Sequence, residues 1–244
     1  MGTKNKTHIG TSGWHYKHWI GTFYPEDTKE KDQLAYYVKH FNTVEINNPF
    51  YRIPSPKTFE KWKESVPADF LFSVKGNRHF THLKKLNADQ KVMDRFFSNV
   101  DKLGKKTGPV LFQLPPGWNI NTGRLQSFLK RLPSGHRYTF EFRNETWYDE
   151  EVYEVLTKYN CAFCIYELGG HHSPLQVTAD FVYIRLHGPG GKYQGSYSEA
   201  KLKEWADRCR EWQKESKEVY VYFDNDQSGY AAFNAKDLKE MVEK

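Results

Sequence analysis

Polar and apolar positions alternate along Asn42–Tyr51, with Val44 and Ile46 on one side of a period-two run and Thr43, Glu45 and Asn47 on the other. Successive side chains of a strand point to opposite faces, so this stretch predicts a strand with a carboxylate on one face. The same alternation returns four times. Leu71, Ser73 and Lys75 are in phase, as are Thr139, Glu141 and Arg143, then Tyr183, Arg185 and His187, then Tyr220, Tyr222 and Asp224. In each run the charge lies towards the C-terminal end, where a parallel barrel places its active site.

Taken in order, the pattern predicts strands over His8–Gly13, around Glu45, and over Phe70–Lys75, Pro109–Leu114, Tyr138–Phe142, Cys161–Tyr166, Phe181–His187 and Val219–Phe223. Helical spacing falls between them. Leu34, Tyr37, Val38 and Phe41 mark a helix over Lys31–Phe41; Phe59 and Trp62 mark one that Ser55 or Thr58 starts. Val92, Met93, Phe96, Phe97 and Val100 mark another over Gln90–Leu103. Further stripes lie at Leu125, Phe128 and Leu129, and at Val152, Val155, Leu156 and Tyr159, with helices over Ser198–Lys214 and from Ala235 onward. Pro49, Pro54 and Pro56 predict no helix in the loop after the second strand. Eight strand–helix alternations at crossover spacing, with no Pro-, Gly- or Ser-rich linker, predict one α/β domain over residues 1–244, a (β/α)8 TIM-type barrel. The first strand–helix turn lacks the Gly-x-Gly-x-x-Gly of a doubly wound dinucleotide fold.

Composition narrows this only a little. With 244 residues, 38% hydrophobic and 16% aromatic, the chain can bury one large core of barrel size. A net charge of +6 favours anionic partners, small molecules or nucleic acid, without choosing between them. Cys161 and Cys164 match Cys-x-x-Cys but sit in an apolar run, which predicts buried small hydrophobes and not a redox pair. Met1–Thr7 has no apolar core of a signal peptide, and no run approaches the length of a membrane span, so a cytoplasmic protein is expected.

Several ordered segments carry a family likeness: Gly10-Thr-Ser-Gly-Trp14, Phe41-Asn-Thr-Val-Glu-Ile-Asn47, Phe50-Tyr-Arg52, Phe72-Ser-Val-Lys75 with Thr81-His82, and Gly108–Pro116. Glu141-Phe-Arg143 with Trp147, Tyr183–Gly188, Tyr222–Asp226 and Gly229-Tyr-Ala231 continue it. Through them, from Ile9 to about Ala235, the chain resembles the domain of unknown function 72 family of YecE-like proteins. The resemblance implies a TIM-type barrel and supplies no reaction. The chain departs from that pattern at Asn48-Pro49, at Asp224 where asparagine is usual, and at Glu167 where aspartate is usual.

Barrel chemistry sits at the C-terminal strand ends. The candidates there are Glu45, Asn47, Lys75, Gln113, Glu141, Arg143, Arg185, His187, Asp224 and Asp226. Burying so many charges without a use is costly, so the set predicts a ligand site. Glu45 and Glu141 are the expected acid and base, with His187 as a further proton-transfer group. Lys75, Arg143 and Arg185 are expected to bind an anion, and Asn47 and Gln113 to orient it. Arg52, Tyr51 and Trp14 are expected binding residues on the loops. The loop His187–Gly195, rich in glycine and carrying Lys192, sits where barrels often hold phosphate. The expected function is a hydrolase or lyase acting on a phosphate-bearing ligand. Three alternatives stand beside it: a divalent metal held by Glu45, Glu141, His187 and Asp224; Lys75 as a Schiff-base nucleophile; and a nucleic-acid-binding barrel that stacks bases on exposed Trp14, Tyr16, Trp19, Phe50, Tyr51 and Trp118.

Overall fold

The computed structural model describes residues 7–244. Residues 1–6, most of the segment on which the absence of a signal peptide was read, lie outside the described residues. In chain order the elements are β1 (Thr7–Thr11), α1 (Gln33–Tyr37), β2 (Thr43–Ile46), α2 (Asn48–Tyr51), α3 (Pro56–Glu64) and β3 (Leu71–Lys75). Next come α4 (Gln90–Val100), β4 (Thr107–Leu114), α5 (Thr122–Leu129), β5 (Tyr138–Phe142), α6 (Glu150–Lys158) and β6 (Ala162–Leu168). The chain ends with β7 (His171–His172), β8 (Phe181–Leu186), α7 (Glu199–Lys214), β9 (Glu218–Phe223) and α8 (Tyr230–Glu243). This is the mixed α/β architecture of the TIM-barrel type that the alternation predicts. The two-residue β7 is an addition, pairing antiparallel with β6. Among the described residues no helix is long and apolar enough to cross a membrane.

Contacts divide the chain into two compact units. The first comprises Met1–Glu45, Ile165–Leu175 and Asp180–Lys244, and the second Ile46–Cys164 and Gln176–Ala179. In the first, β9 lies between β1 and β8 in parallel register, with Gly10 and Arg185 both opposite Tyr222. The register continues past the strands: Ser12 N donates to Phe223 O at 2.8 Å, and Asp224 N to Leu186 O at 2.8 Å. Ser12, His187 and Asp224 therefore end three neighbouring strands at one level. Helix α7 starts at Ser198, whose side chain accepts from Lys201 N, and buries Leu202, Trp205, Ala206, Cys209 and Trp212 along one stripe. Each large apolar side chain buried this way contributes about 1.5–3 kcal/mol.

In the second unit β3, β4, β5 and the start of β6 run parallel, with Gln113 opposite Glu141. Asp89 caps α4, whose Met93, Phe96, Phe97 and Val100 form the buried stripe. The helix predicted to Leu103 ends at Val100, and a 3₁₀ stretch follows until Gly104 breaks it with φ 59°. The proline loop does hold one helical turn, α2. Pro49 falls within its first turn, where the missing N–H costs nothing. In the first unit, the helix predicted over Lys31–Phe41 is α only from Gln33 to Tyr37, after a 3₁₀ turn, and α8 begins five residues before the predicted Ala235. Cys161 and Cys164 are buried, and burial pushes the Cys161 thiol up to about 12, which leaves it inert at neutral pH.

The small residues at the end of β1 serve a close backbone approach. A Cβ on Gly10 would stand 2.3 Å from Thr43 O. Gly10→Ala should therefore destabilise the chain by about 1–3 kcal/mol or more, read as a lowered urea midpoint. An unchanged midpoint would mean that the two strands can separate freely.

Candidate functional site

Glu45 is fully buried, and both its oxygens are engaged. Oε1 accepts from Ser12 Oγ at 2.5 Å and from Arg185 Nη2 at 2.7 Å. Oε2 accepts from Tyr183 OH at 2.7 Å and from Arg185 Nε at 3.0 Å. This two-point guanidinium–carboxylate pair, supplemented by two hydroxyls, is the arrangement in which a buried ion pair recovers its desolvation cost. Arg185, 1% exposed, also donates from Nη2 to Ser12 Oγ at 3.1 Å and to Asp224 Oδ2 at 3.2 Å. Its Nη1 stands 3.2 Å from His187 Nε2. A guanidinium has no lone pair to offer, so Nε2 accepts there. The proton of the neutral ring is then on Nδ1, which donates to Asp224 Oδ2 at 3.0 Å. Glu45, Arg185, His187 and Asp224 thus form one ordered chain of bonds, and Asp224 is its outer end, with 18% of its side chain exposed.

Asp224 opens onto a pocket of about 380 Å³ in the same unit, lined also by Tyr16, His18, Lys192, Tyr193 and Asp226. Tyr193 stands edge-on to His187 with centroids 5.3 Å apart. The loop bearing it needs glycine at its base, since Gly188 has φ 108° and a Cβ there would lie 2.2 Å from Gln194 O. Asp226 is held differently from Asp224. Its Oδ1 accepts from the indole N–H of the fully buried Trp19 at 2.5 Å, and Oδ2 stands 2.9 Å from His18 Nε2. Burial pushes the Asp226 carboxyl up to about 6; the Trp19 bond and His18 oppose the rise, and the nearby Asp224 charge adds to it. Tyr16, whose hydroxyl donates to Ser12 O, is raised well above the ordinary phenol range by burial and by Asp224, Asp226 and Glu45.

The second unit carries its own charged group. Glu141 is fully buried and accepts from Arg143 Nε, with Gln113 opposite it and Cys164 Sγ at 3.8 Å from Oε2. Lys75 Nζ stands over the Phe50 ring at 4.4 Å, and His82 meets that ring edge-on at 5.1 Å. Burial, then Lys75 and Arg78, lowers the His82 pKa. A π-helical turn over His79–Leu83 carries this histidine. Tyr51 and Arg52 line a separate pocket of this unit, and Asn47 Oδ1 is buried without a hydrogen-bond partner among the described residues.

The predicted site residues therefore sort into two groups. Glu45, Arg185, His187, Asp224, Asp226 and Lys192 belong to the first unit, and Asn47, Tyr51, Arg52, Lys75, Gln113, Glu141 and Arg143 to the second. Arg185 is directed at Glu45 and not at solvent. Trp14 is half-buried; Trp19 and Trp118, expected as exposed stacking surfaces, are buried at 0% and 8% exposure, because the Trp19 indole is needed by Asp226 and Trp118 packs on Trp147. Tyr51 alone among those aromatics stands far out, at 73%. Among the described residues no three His, Cys, Asp or Glu side chains gather as a metal-ligand cluster. For the quartet given as one alternative, the physical reason is occupancy. Glu45 gives both oxygens to Arg185, and both His187 nitrogens already have partners. Ser12, Tyr183, His18 and His82 were not among the predicted site residues. Ser12 and Tyr183 could have been found, since one lies in the small-residue run of the Gly10–Trp14 stretch and the other is in phase with Arg185. The pairing of His18 with Asp226 spans 208 residues and left no local signal.

A family model described as "Protein of unknown function DUF72" matches residues 8–244. The chain belongs to the DUF72 family. Among DUF72 structures, one from Thermotoga maritima MSB8 shares 30% identity at a TM-score of 0.89, covering 98% of this chain and 99% of that one. A second, from Enterococcus faecalis V583, shares the fold at 18% identity and a TM-score of 0.84, covering 98% and 96%. The UPF0759 protein YunF of Bacillus subtilis is 27% identical over 97% of this chain and 94% of its own length. UPF0759 protein YecE of Escherichia coli K12 is 26% identical over 58% of this chain and 50% of its own length.

Two outcomes follow for this DUF72 chain. Glu45→Leu should cost about 3–5 kcal/mol in urea unfolding by stranding Arg185 as a buried unpaired charge, whereas Glu45→Leu with Arg185→Met should recover much of that loss. Asp226 titrates at about 6 against an ordinary 3.8, so the folded chain retains a proton that the unfolded chain has released between those values. The contribution of this group to stability is therefore present below pH 4 and declines as pH rises from about 4 to 6. Asp226→Asn should flatten that part of the stability–pH curve, as measured by urea midpoints at pH 4 and 7.

Proposed function

We propose that this DUF72 protein is a hydrolase or lyase acting on a polyhydroxylated, phosphate-bearing ligand in the first-unit pocket, with Asp224 as base and Asp226 as acid. The observation that carries the reading is that two carboxyls line one pocket and are held by unlike partners. Asp224 receives a guanidinium N–H and an imidazole N–H, which favour its ionised form. Asp226 is desolvated and keeps its proton up to about pH 6. Carboxyls held by partners as unlike as these are suited to opposite proton-transfer roles. In cleavage, Asp226 gives its proton to the leaving oxygen. Asp224 takes one from the attacking water, or from a C–H bond if the reaction is an elimination.

The acid–base role expected of Glu45 passes in this reading to the two aspartates. Glu45 has no unoccupied oxygen face with which to meet a substrate, and it acts by holding Arg185, which in turn orients His187 and Asp224. Lys192, at the pocket wall, is the group for the ligand's anion. Tyr193 and Tyr16 offer ring faces, and Gln194 and Gln227 hydrogen bonds to hydroxyls. In the second unit, Glu141 is held by Arg143 in the manner of a positioned carboxylate, and Lys75 over Phe50 as a fixed charge.

The test is turnover of a panel of chromogenic glycosides, phosphodiesters and sugar phosphates by the wild type, Asp224→Asn and Asp226→Asn. Activity on one class should fall by about 10²–10⁴-fold in each variant. The wild-type rate should decline as pH rises through about 6, where Asp226 loses its proton, and that limb should vanish in Asp226→Asn. A substrate turned over equally by all three proteins would sink the assignment.

A further inference from the structure

The second unit holds a pocket of about 1030 Å³, at the upper end of small-molecule sites. Arg52 and Arg95 both line it, and no acidic side chain does, in a chain with 30 aspartates and glutamates. Neither guanidinium has a hydrogen-bond or ion-pair partner among the described residues. A second basic pocket of this unit provides the contrast. It is lined by Arg124 and Arg131, but Arg131 is spent on Ala88 O and Leu86 O at 2.7 and 2.9 Å, and Arg124 reaches Lys85 O. Arginines tied to carbonyls staple loops together. Two untied ones facing one acid-free cavity are poised for a ligand's charge.

The rest of the wall says what else that ligand carries. Trp62, Tyr51 and the prolines at 54 and 56 give flat apolar surface. Ser55 and Thr58, at the positive end of α3, add hydroxyls beside the arginines. The wall is also fixed in place. Asn77 Nδ2 donates to Pro49 O at 2.6 Å and Asn99 Nδ2 to Pro54 O at 2.9 Å, so two nearly buried amides hold the proline loop over the cavity. A rigid wall loses little entropy when it binds.

We propose that this pocket binds a phosphomonoester bearing a planar ring, the phosphate gripped by Arg52 and Arg95 and the ring lying against Trp62 and Tyr51. Two guanidiniums present more donors than one carboxylate can accept, and a phosphate dianion matches them. The proposal does not draw on the Asp224–Asp226 reading, and binding, not turnover, reports on it.

Calorimetric titration of the full chain with adenosine monophosphate, uridine monophosphate, adenosine and inorganic phosphate tests this. One monophosphate should bind one-to-one, at least tenfold more tightly than either adenosine or phosphate alone. Arg52→Ala and Arg95→Ala should each weaken it by about tenfold or more, and Asp226→Asn should leave it unchanged. Both arginines are exposed, and an unaltered thermal midpoint in each variant would show that the fold is intact. No binding by any probe at millimolar concentration, or equal binding by the double arginine variant, would overturn the proposal. So would affinity that rises steadily with the length of an oligonucleotide, since that places the charge along a strand and not in one pocket.

Discussion

A buried carboxylate facing a buried guanidinium is the constraint around which the first unit is arranged. Neither Glu45 nor Arg185 could be tolerated in the core alone, and together they are acceptable only because Ser12 and Tyr183 fill the remaining acceptor directions. That requirement fixes the ends of strands distant in sequence. Ser12 must follow β1, Glu45 must sit within β2, and Arg185 must project from β8 with Tyr183 in phase before it. The side-chain bonds and the parallel register impose the same alignment, so polar satisfaction and backbone pairing reinforce one another.

The pair also sets the chemistry at its edge. By occupying His187 Nε2, Arg185 leaves the imidazole one role, that of an N–H donor to Asp224. The ring then behaves as a strut that orients a carboxylate, in the way outer groups tune a reactive one elsewhere. Asp224 and Asp226 stand two residues apart on the loop after β9, yet one faces this cationic scaffold and the other an indole. The raised proton affinity of Asp226 comes from its burial and not from its position in the chain.

The fold could be read from the sequence because period-two and helical patterns alternate with few interruptions, and because the charges fall at the C-terminal strand ends. The strand carrying Glu45 and those carrying Glu141 and Arg185 were legible for that reason. The boundaries that drifted have local causes, such as the tightening to a 3₁₀ stretch after Val100 that Gly104 breaks, and Pro49 tolerated inside a first turn. Which charges satisfy one another was not legible. Arg185 looks like an anion-binding residue until its partners are seen, and Trp19 looks like a surface ring until its N–H is found on Asp226. Arg185 and Glu45 lie 140 residues apart and Trp19 and Asp226 lie 207 apart, and periodicity carries no information about such pairings.

The bond between Trp19 and Asp226 ties two properties that are usually separable. The carboxyl at the pocket is also the anchor for a buried aromatic of the loop after β1. A drifting sequence cannot replace that aspartate with a residue of different chemistry without also loosening the loop, and cannot lose the tryptophan without altering the acidity of the pocket. Either change alone is a step down, so a change of chemistry at this position requires paired substitutions.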